Sequence, residues 1–287
     1  MRRSRWILAA VIVALVAVAG FFTVVKRGAA RSRSPGASGA SHTAVSGGEV
    51  GDTVPELDRA ALAELERMGA YLRTLKAFQL KADVSTEDVR TDGQKVQTLR
   101  AVDLVARRPD RLYAEITNDR QRRLLFYDGA HFTIFAPRTT FYATVAAPPT
   151  IEGLADVLED KYDIELPLVD LFRWGTPKGN VDALTSAVDL GPSAINGVTC
   201  EQYAFRQEGV DWQLWIQRGE APLPCRIVIT TLTDDARPQH SATYTWNLAP
   251  SFDDETFVFR TPADAKRIPL GEVPGVAPSP STRAGKH

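Results

Sequence analysis

The chain has two cysteines, two methionines and four histidines in 287 residues, and each scarcity removes a class of chemistry. His42 lies in a stretch of Gly, Ala and Ser, and His287 is the last residue, which leaves His131 and His240 for any folded site. A His-rich metal centre does not fit that supply. There is no Cys-x-x-Cys, no His-Glu-x-x-His, no Gly-x-Ser-x-Gly and no Gly-rich phosphate loop with its lysine. No metal, no cofactor and no catalytic residue set is therefore expected, and the chain reads as a non-enzyme. Carboxylates do cluster, at Glu159-Asp160 with Asp163, at Asp234-Asp235 and at Asp253-Asp254-Glu255, but at helix ends and in loops, where acids are commonly just solvated. A hydrolase is the third-ranked reading; it requires His131, beside Asp128, or His240 to face a carboxylate in a cleft.

Strong positive charge is also missing from the body of the chain. Residues 1–50 carry seven Lys and Arg against the single acid Glu49, so the remaining 27 bases face 34 acids, a net of −7. An acidic domain excludes a nucleic-acid partner, which needs bases clustered on one face.

The basic start belongs at a membrane. Arg2, Arg3 and Arg5 precede an uncharged, mostly apolar run from Trp6 to Val25, closed by Lys26 and Arg27. Twenty helical residues span about 30 Å, the thickness of a bilayer core, so residues 1–27 read as an uncleaved anchor. The rival is a cleaved signal peptide, with a short core from Ile7 to Val16 and a small-x-small site at Ala17, Val18 and Ala19. The first places the domain in the periplasm, anchored to the inner membrane; the second makes it soluble there. Residues 28–53 form a Gly/Ala/Ser tether that reaches roughly 25 to 30 Å as a random coil.

The folded region is expected over residues 54–268, with a proline-rich disordered tail over 269–287. Thr53 caps and Pro55 opens a helix in which Leu57, Ala61, Leu65, Met68, Leu72 and Leu75 make one apolar stripe. The period then changes to two. Phe78 to Val84, Val102 to Ala106, Leu112 to Ile116, Leu124 to Tyr127 and His131 to Phe135 read as five short strands, with turns at Asp92-Gly93 and Asp128-Gly129. A helix follows Thr150, with Ile151, Leu154, Val157 and Leu158 on one face, and a second covers Leu166 to Trp174. Strands resume at Ala187 to Leu190, Val198 to Phe205, Trp212 to Gln217, Arg226 to Leu232 and Ala242 to Leu248. Antiparallel runs with segregated helices indicate an α+β domain.

Cys200 and Cys225 fall on either side of the Trp212 to Gln217 strand, about 9.6 Å apart across two strand spacings and beyond the roughly 7 Å a disulfide bridges. An oxidising compartment and a strand that ends near Arg218-Gly219 argue the other way, so a disulfide and two free thiols both stand. Trp212, Leu214 and Ile216 share one strand face, and Tyr244, Trp246 and Leu248 share another. Either these residues fill a core, or an incompletely covered curved sheet leaves an apolar hollow. A sixteen-carbon chain buried there offers about 12 kcal/mol gross at 0.8 kcal/mol per CH₂, so a lipid carrier needs no polar motif.

Four segments carry a family resemblance: YDGAHFTIFAP (127–137), NGVTCEQYAFR (196–206), VDWQLWIQRGEAPLPCRIVIT (210–230) and YTWNLAPSFDDETFVF (244–259). From about Leu65 to Ile268 the chain resembles the bacterial predicted periplasmic proteins catalogued as domain of unknown function 2092. That family is similar in fold to lipoprotein-localisation carriers and receptors of LolA type. The resemblance implies a curved antiparallel sheet, an open half-barrel wrapped over a few helices, with an apolar cavity for acyl chains. The expected ligand-lining residues are Phe78, Leu80, Phe132, Ile134, Trp212, Leu214, Ile216, Tyr244 and Trp246. The expected partners are a lipid, a lipoprotein acyl chain or another hydrophobic ligand, and the membrane through the N-terminal helix. The alternative is an envelope sensor or scaffold that binds a protein partner.

Overall fold

The computed structural model describes residues 57–272. The anchor or signal segment, the tether with Thr53 and Pro55, and the tail from residue 273 lie outside the described residues. Among those described, no helix is long and apolar enough to cross a membrane.

Helix α1 covers Arg59–Thr74 and buries Ala61, Leu65, Met68 and Leu72, four of the six residues of the apolar stripe. It is capped by Asp58, whose carboxylate accepts from the Ala60 N–H at 2.8 Å, and not by Thr53. Leu57 leaves the stripe because its backbone bridges Ala187 in parallel, while the Asp58 N–H donates to the Ala187 carbonyl at 2.9 Å. The helix start is thus pinned to a strand.

Two antiparallel meanders follow. The first is β1 (Ala77–Val89), β2 (Lys95–Arg107), β3 (Arg111–Thr117), β4 (Arg122–Tyr127), β5 (His131–Ala136) and β6 (Phe141–Ala146). Strand β6 has no counterpart in the sequence reading. The turn before it contains Thr140 at φ 56, where neither Gly nor Asn advertises the left-handed residue. Helix α2 (Ile151–Tyr162) is capped by Thr150, whose hydroxyl accepts from the Gly153 N–H. The second predicted helix shrinks to α3 (Asp170–Arg173), because Pro167 and the left-handed Leu168 at φ 57 break the segment before it.

The second meander is β7 (Ser186–Ile195), β8 (Val198–Gln207), β9 (Val210–Gln217), β10 (Pro224–Thr231) and β11 (Gln239–Asn247). Asn196-Gly197 turns between β7 and β8 with both φ positive, at 50 and 80, the two-residue turn whose twist matches the flanking strands. Antiparallel pairing of β1 with β11, from Gln79 opposite Asn247 to Thr86 opposite His240, joins the meanders. The short β12 (Lys266–Arg267) adds to β6 in parallel. The result is one open, curved sheet of twelve strands, in the order β12-β6-β5-β4-β3-β2-β1-β11-β10-β9-β8-β7.

The helices sit against one face of this sheet. Phe172 of α3 meets Phe78 of β1 at 6.0 Å between ring centroids, and Arg108 pairs with Glu152 of α2 and lies over the Phe172 ring. The Tyr127 hydroxyl donates to the Pro148 carbonyl, and the Ile151 N–H donates to the Pro109 carbonyl at 2.9 Å. Helix α1 passes close to the chain after α3, where a Cβ on Gly69 would lie 2.6 Å from the Gly175 nitrogen.

Cys200 on β8 and Cys225 on β10 form a disulfide with Cα atoms 7.1 Å apart. Cys200 lies opposite Gln217, and the β9–β10 register slips between Pro224 and Arg226, where Cys225 sits. That irregularity at the end of β9 closes the gap that two regular strand spacings would leave.

Two outcomes test this arrangement. Gly69→Ala gains about 1 kcal/mol of helix propensity yet is expected to lower stability in urea by about 1 to 3 kcal/mol through overpacking; a rise in the midpoint would refute the backbone contact. Reduction of the disulfide, which spans 25 residues, is expected to cost about 3 to 4 kcal/mol by chain entropy, read as a lower Tm.

Candidate functional site

Side chains of a strand alternate between faces, so the register assigns every residue to the helix-covered concave face or to the convex one. Five concave rows run across the sheet. Moving away from α3, they contain Phe78–Ala106–Leu112–Tyr127–Phe132, Trp246–Leu80–Leu104–Ala114–Leu125–Ile134, Tyr244–Ala82–Val102–Ile116–Arg123, Ala242–Val84–Arg100 and His240–Thr86–Thr98. At roughly 3.4 Å per residue the face is about 25 Å long from Phe78 to Thr86.

Burial extends along this length, from Phe78 and Leu80 to Val84, Ala242 and Thr86, and it is individual positions that differ. Phe78, Leu80, Phe132, Leu214, Ile216 and Tyr244 are buried, and Leu80, Leu104 and Leu214 have no exposed surface at all. Burial pushes the Tyr244 hydroxyl up, with the Asp170 charge adding to it. Of the nine expected lining residues these six pack into the core in this structure. Ile134, Trp212 and Trp246 stay half-buried. Trp246 is held by its indole N–H, which donates to the Pro224 carbonyl at 2.8 Å, and by ring contact with Phe78 at 5.4 Å. Trp212 stacks on Phe205 at 4.3 Å and makes no polar contact with its indole among the described residues.

The rows farthest from α3 change character. Arg100, Arg123 and His240 occupy concave positions there, with Trp212 in the His240 row through Ile229. His240 Nδ1 and Thr86 Oγ1 lie 3.0 Å apart. Burial, followed by the Arg100 charge, lowers the imidazole pKa to about 4, so the ring is neutral at pH 7. Burial and the Arg100 charge also lower Arg123. Sequence reasoning missed this corner, yet a signal existed. Arg100 shares parity with Val102, Leu104 and Ala106, and Arg123 with Leu125 and Tyr127, so each puts a charge where the alternation calls for an apolar residue.

The convex face has a cleft of its own, about 380 Å³ in volume, under a C-terminal strap. Phe259 packs on Phe126, Phe135 and Tyr142 at 5.0 to 5.4 Å, and Arg107 holds Asp254 at 2.7 Å. His131 and Asp128 both line this cleft, 3.7 Å apart. The hydrolase condition of a histidine facing a carboxylate in a cleft is thereby met in distance. The groups around the pair are themselves engaged within the described residues. Asp128 already accepts the Ala130 and His131 backbone N–H groups at 2.9 and 2.7 Å as a turn cap, and the Thr133 and Thr144 hydroxyls bond each other at 2.8 Å. No group of three or more His, Cys, Asp or Glu that could hold a metal occurs among the described residues.

Residues 61–271 match the family described as Predicted periplasmic protein (DUF2092). No curated protein matches the chain. Among solved structures, the chain is similar to LprF from Mycobacterium bovis, at 14% identity and a TM-score of 0.42, over 75% of this chain and 100% of that one. It is also similar to the lipoprotein LppX from Mycobacterium tuberculosis, at 11% identity and 0.35, over 68% and 98% of the two chains. A LolA superfamily protein from Nitrosomonas europaea matches at 12% identity and 0.33, over 69% and 97%. At TM-scores under 0.5 these likenesses support no inference about this chain.

The His240 environment makes a measurable claim. The folded pKa lies near 4, below the unfolded 6.5, so the stability that depends on a neutral ring is full above pH 6.5 and is lost progressively as pH falls toward 4. His240→Gln is expected to flatten that part of the pH–stability curve relative to the native chain. Parallel curves for the two proteins between pH 7 and 4 would show that the ring is not held neutral.

Proposed function

Because the chain belongs to the family of predicted periplasmic proteins designated DUF2092, we propose that it works in the periplasm as a non-enzymatic binder of a lipid, a lipoprotein acyl chain or another hydrophobic ligand. The observation that supports this reading is a set of half-buried apolar side chains on an otherwise buried concave face. Val84, Thr86, Ala242 and Ile229 of the far rows are buried as Phe78 and Leu80 of the near rows are, and among them Trp212, Ile116 and Ile134 remain half-buried on a surface continuous with the core. An acyl chain laid there gains on the order of 0.8 kcal/mol per buried CH₂ without any motif that sequence inspection recognises. The ligand site is therefore drawn in from the whole sheet–helix interface to these half-buried positions. In the same reading residues 1–27 tether the folded region, taken as 54–268, to the inner membrane through the flexible 28–53 segment; cleavage after Ala19 would release it instead.

The protein-partner reading keeps one observation in its favour. Strand β7 is the last strand of the sheet, bridged on its outer side by Leu57 at Ala187, and it leaves Val188 and Leu190 exposed, Leu190 by 51%. Its register breaks between Asp189 and Gly191, with Pro192 following, which shortens the stretch another strand could pair with. Lipid binding is accordingly the leading reading.

Titration of the delipidated chain with fatty acid should quench tryptophan fluorescence at micromolar ligand. Trp212→Phe is expected to remove most of the quench. Trp215→Phe should leave it, since Trp215 lies on the convex face with its indole N–H donating to Ser193 Oγ. Absence of any binding at micromolar ligand would sink the proposal.

A further inference from the structure

Arg100 lies opposite Val84 and two residues from Val102, so its side chain belongs to the concave face. Its Nη2 atom is buried and has no hydrogen-bond partner among the described residues. A guanidinium keeps its charge at any physiological pH, so this half-buried cation carries one nitrogen that is shielded from water and has no acceptor among the described residues. Arg123 and His240 reach the same end of the face from β4 and β11, by registers opposite Ile116 and Thr86. Asp88, the carboxylate of β1 on this face, accepts from Thr98 Oγ1 at 3.2 Å.

Basic residues of the convex face are treated differently. Arg122 meets Glu115 at 2.7 Å, Lys95 meets Glu87 at 3.0 Å and Arg206 meets Asp211 at 2.5 Å. A purely structural Arg100 would follow that pattern, because a buried donor without an acceptor is destabilising. What Arg100 Nη2 lacks among the described residues is an acceptor. A carboxylate or a phosphate monoester meets a guanidinium with two parallel hydrogen bonds, and neither group occupies that position from the described chain.

The surroundings select the kind of anion. Trp212, in the same row as His240, and Ile116, in the same row as Arg123, are half-buried apolar groups beside the charged end. A free anion has no use for them, whereas the tail of an amphiphile covers them. We infer that the far end of the concave face is a head-group site built on Arg100, with Arg123 and His240 beside it, for an amphiphile that ends in a carboxylate or a phosphate monoester. This rests on the hydrophobic-ligand reading above and names the ligand's chemical class.

The full chain in a neutral maltoside detergent, offered equimolar 1-oleoyl lysophosphatidate and 1-oleoylglycerol, tests the inference by native mass spectrometry. The two probes share a tail and differ in head group. The lysophosphatidate adduct should exceed the glycerol adduct about tenfold or more, the scale of a charge-assisted bidentate contact, and Arg100→Gln should bring the ratio toward one. Arg100→Lys, which keeps the charge and loses the fork, should fall between, and serves if the glutamine variant does not fold. Equal adducts on the native chain, or a preference that survives Arg100→Gln, would overturn the head-group site while leaving hydrophobic binding in place. Absence of both adducts would take down the hydrophobic-ligand reading itself. Inorganic phosphate alone should leave no adduct; if it binds as well as the lysophosphatidate does, the site is one for free anions and the amphiphile assignment is wrong.

Discussion

The central constraint on this molecule is one of area: among the described residues twelve strands form a single open sheet with two faces, and three α-helices pack against it. A sheet buries its apolar face against another layer or leaves it to water. The helices are concentrated where α3 meets Phe78 and where Arg108 holds Glu152, so the core is complete at that end of the strands. Along the same strands Val84, Thr86 and Ala242 stay buried, while Trp212 and Arg100 among them are half-buried. The proposed binding surface is drawn from those half-buried positions, and needs no dedicated motif.

On the convex face a different device supplies cover. Residues 252–259 run across β4, β5 and β6 as a strap in which Phe259 covers three aromatic rings and Phe257 is buried. Further along, this face is polar and ion-paired, and water is an adequate second layer. Charge placement therefore distinguishes the faces. Glu115 is held below the usual carboxylate range by its hydrogen bond from Arg122, and Tyr113 is pushed up to about 12 by burial and by Glu115. On the concave side the Arg100 charge acts on both His240 and Arg123.

Local rules are visible in the sequence, and non-local ones are not. The helix stripe from Ala61 to Leu72, the Thr150 cap and ten of the eleven strands of the two meanders show as periodicity and turn chemistry. Strand β6 escaped because a threonine holds its left-handed turn position, and the second helix was overdrawn because Leu166 to Trp174 is apolar enough for a helix but broken at Pro167. The joint between β1 and β11 left no trace, since Asn247 and Gln79 are 168 positions apart and nothing in either strand names its partner. The nine residues picked as lining the site were concave-facing, but parity alone does not say how far a helix extends over them. The charged corner was legible as a break in alternation; its meaning depends on which face the helices cover.

That same joint bears on how the site comes into being. Strand β1 pairs with β2 across a short turn, whereas its other edge waits for β11, which lies after the whole of the second meander. Long-range pairing of this kind is slow, because the loop-closure entropy precedes the contacts that offset it. Until it forms, Leu80 and Ala82 have no neighbour on that side, and an unpaired strand edge is a template for other chains. The second meander, cross-linked between β8 and β10 by Cys200–Cys225, can assemble first as a stiff unit that presents β11. A disulfide, which forms in an oxidising compartment, then orders the half of the sheet on which closure of the concave face depends.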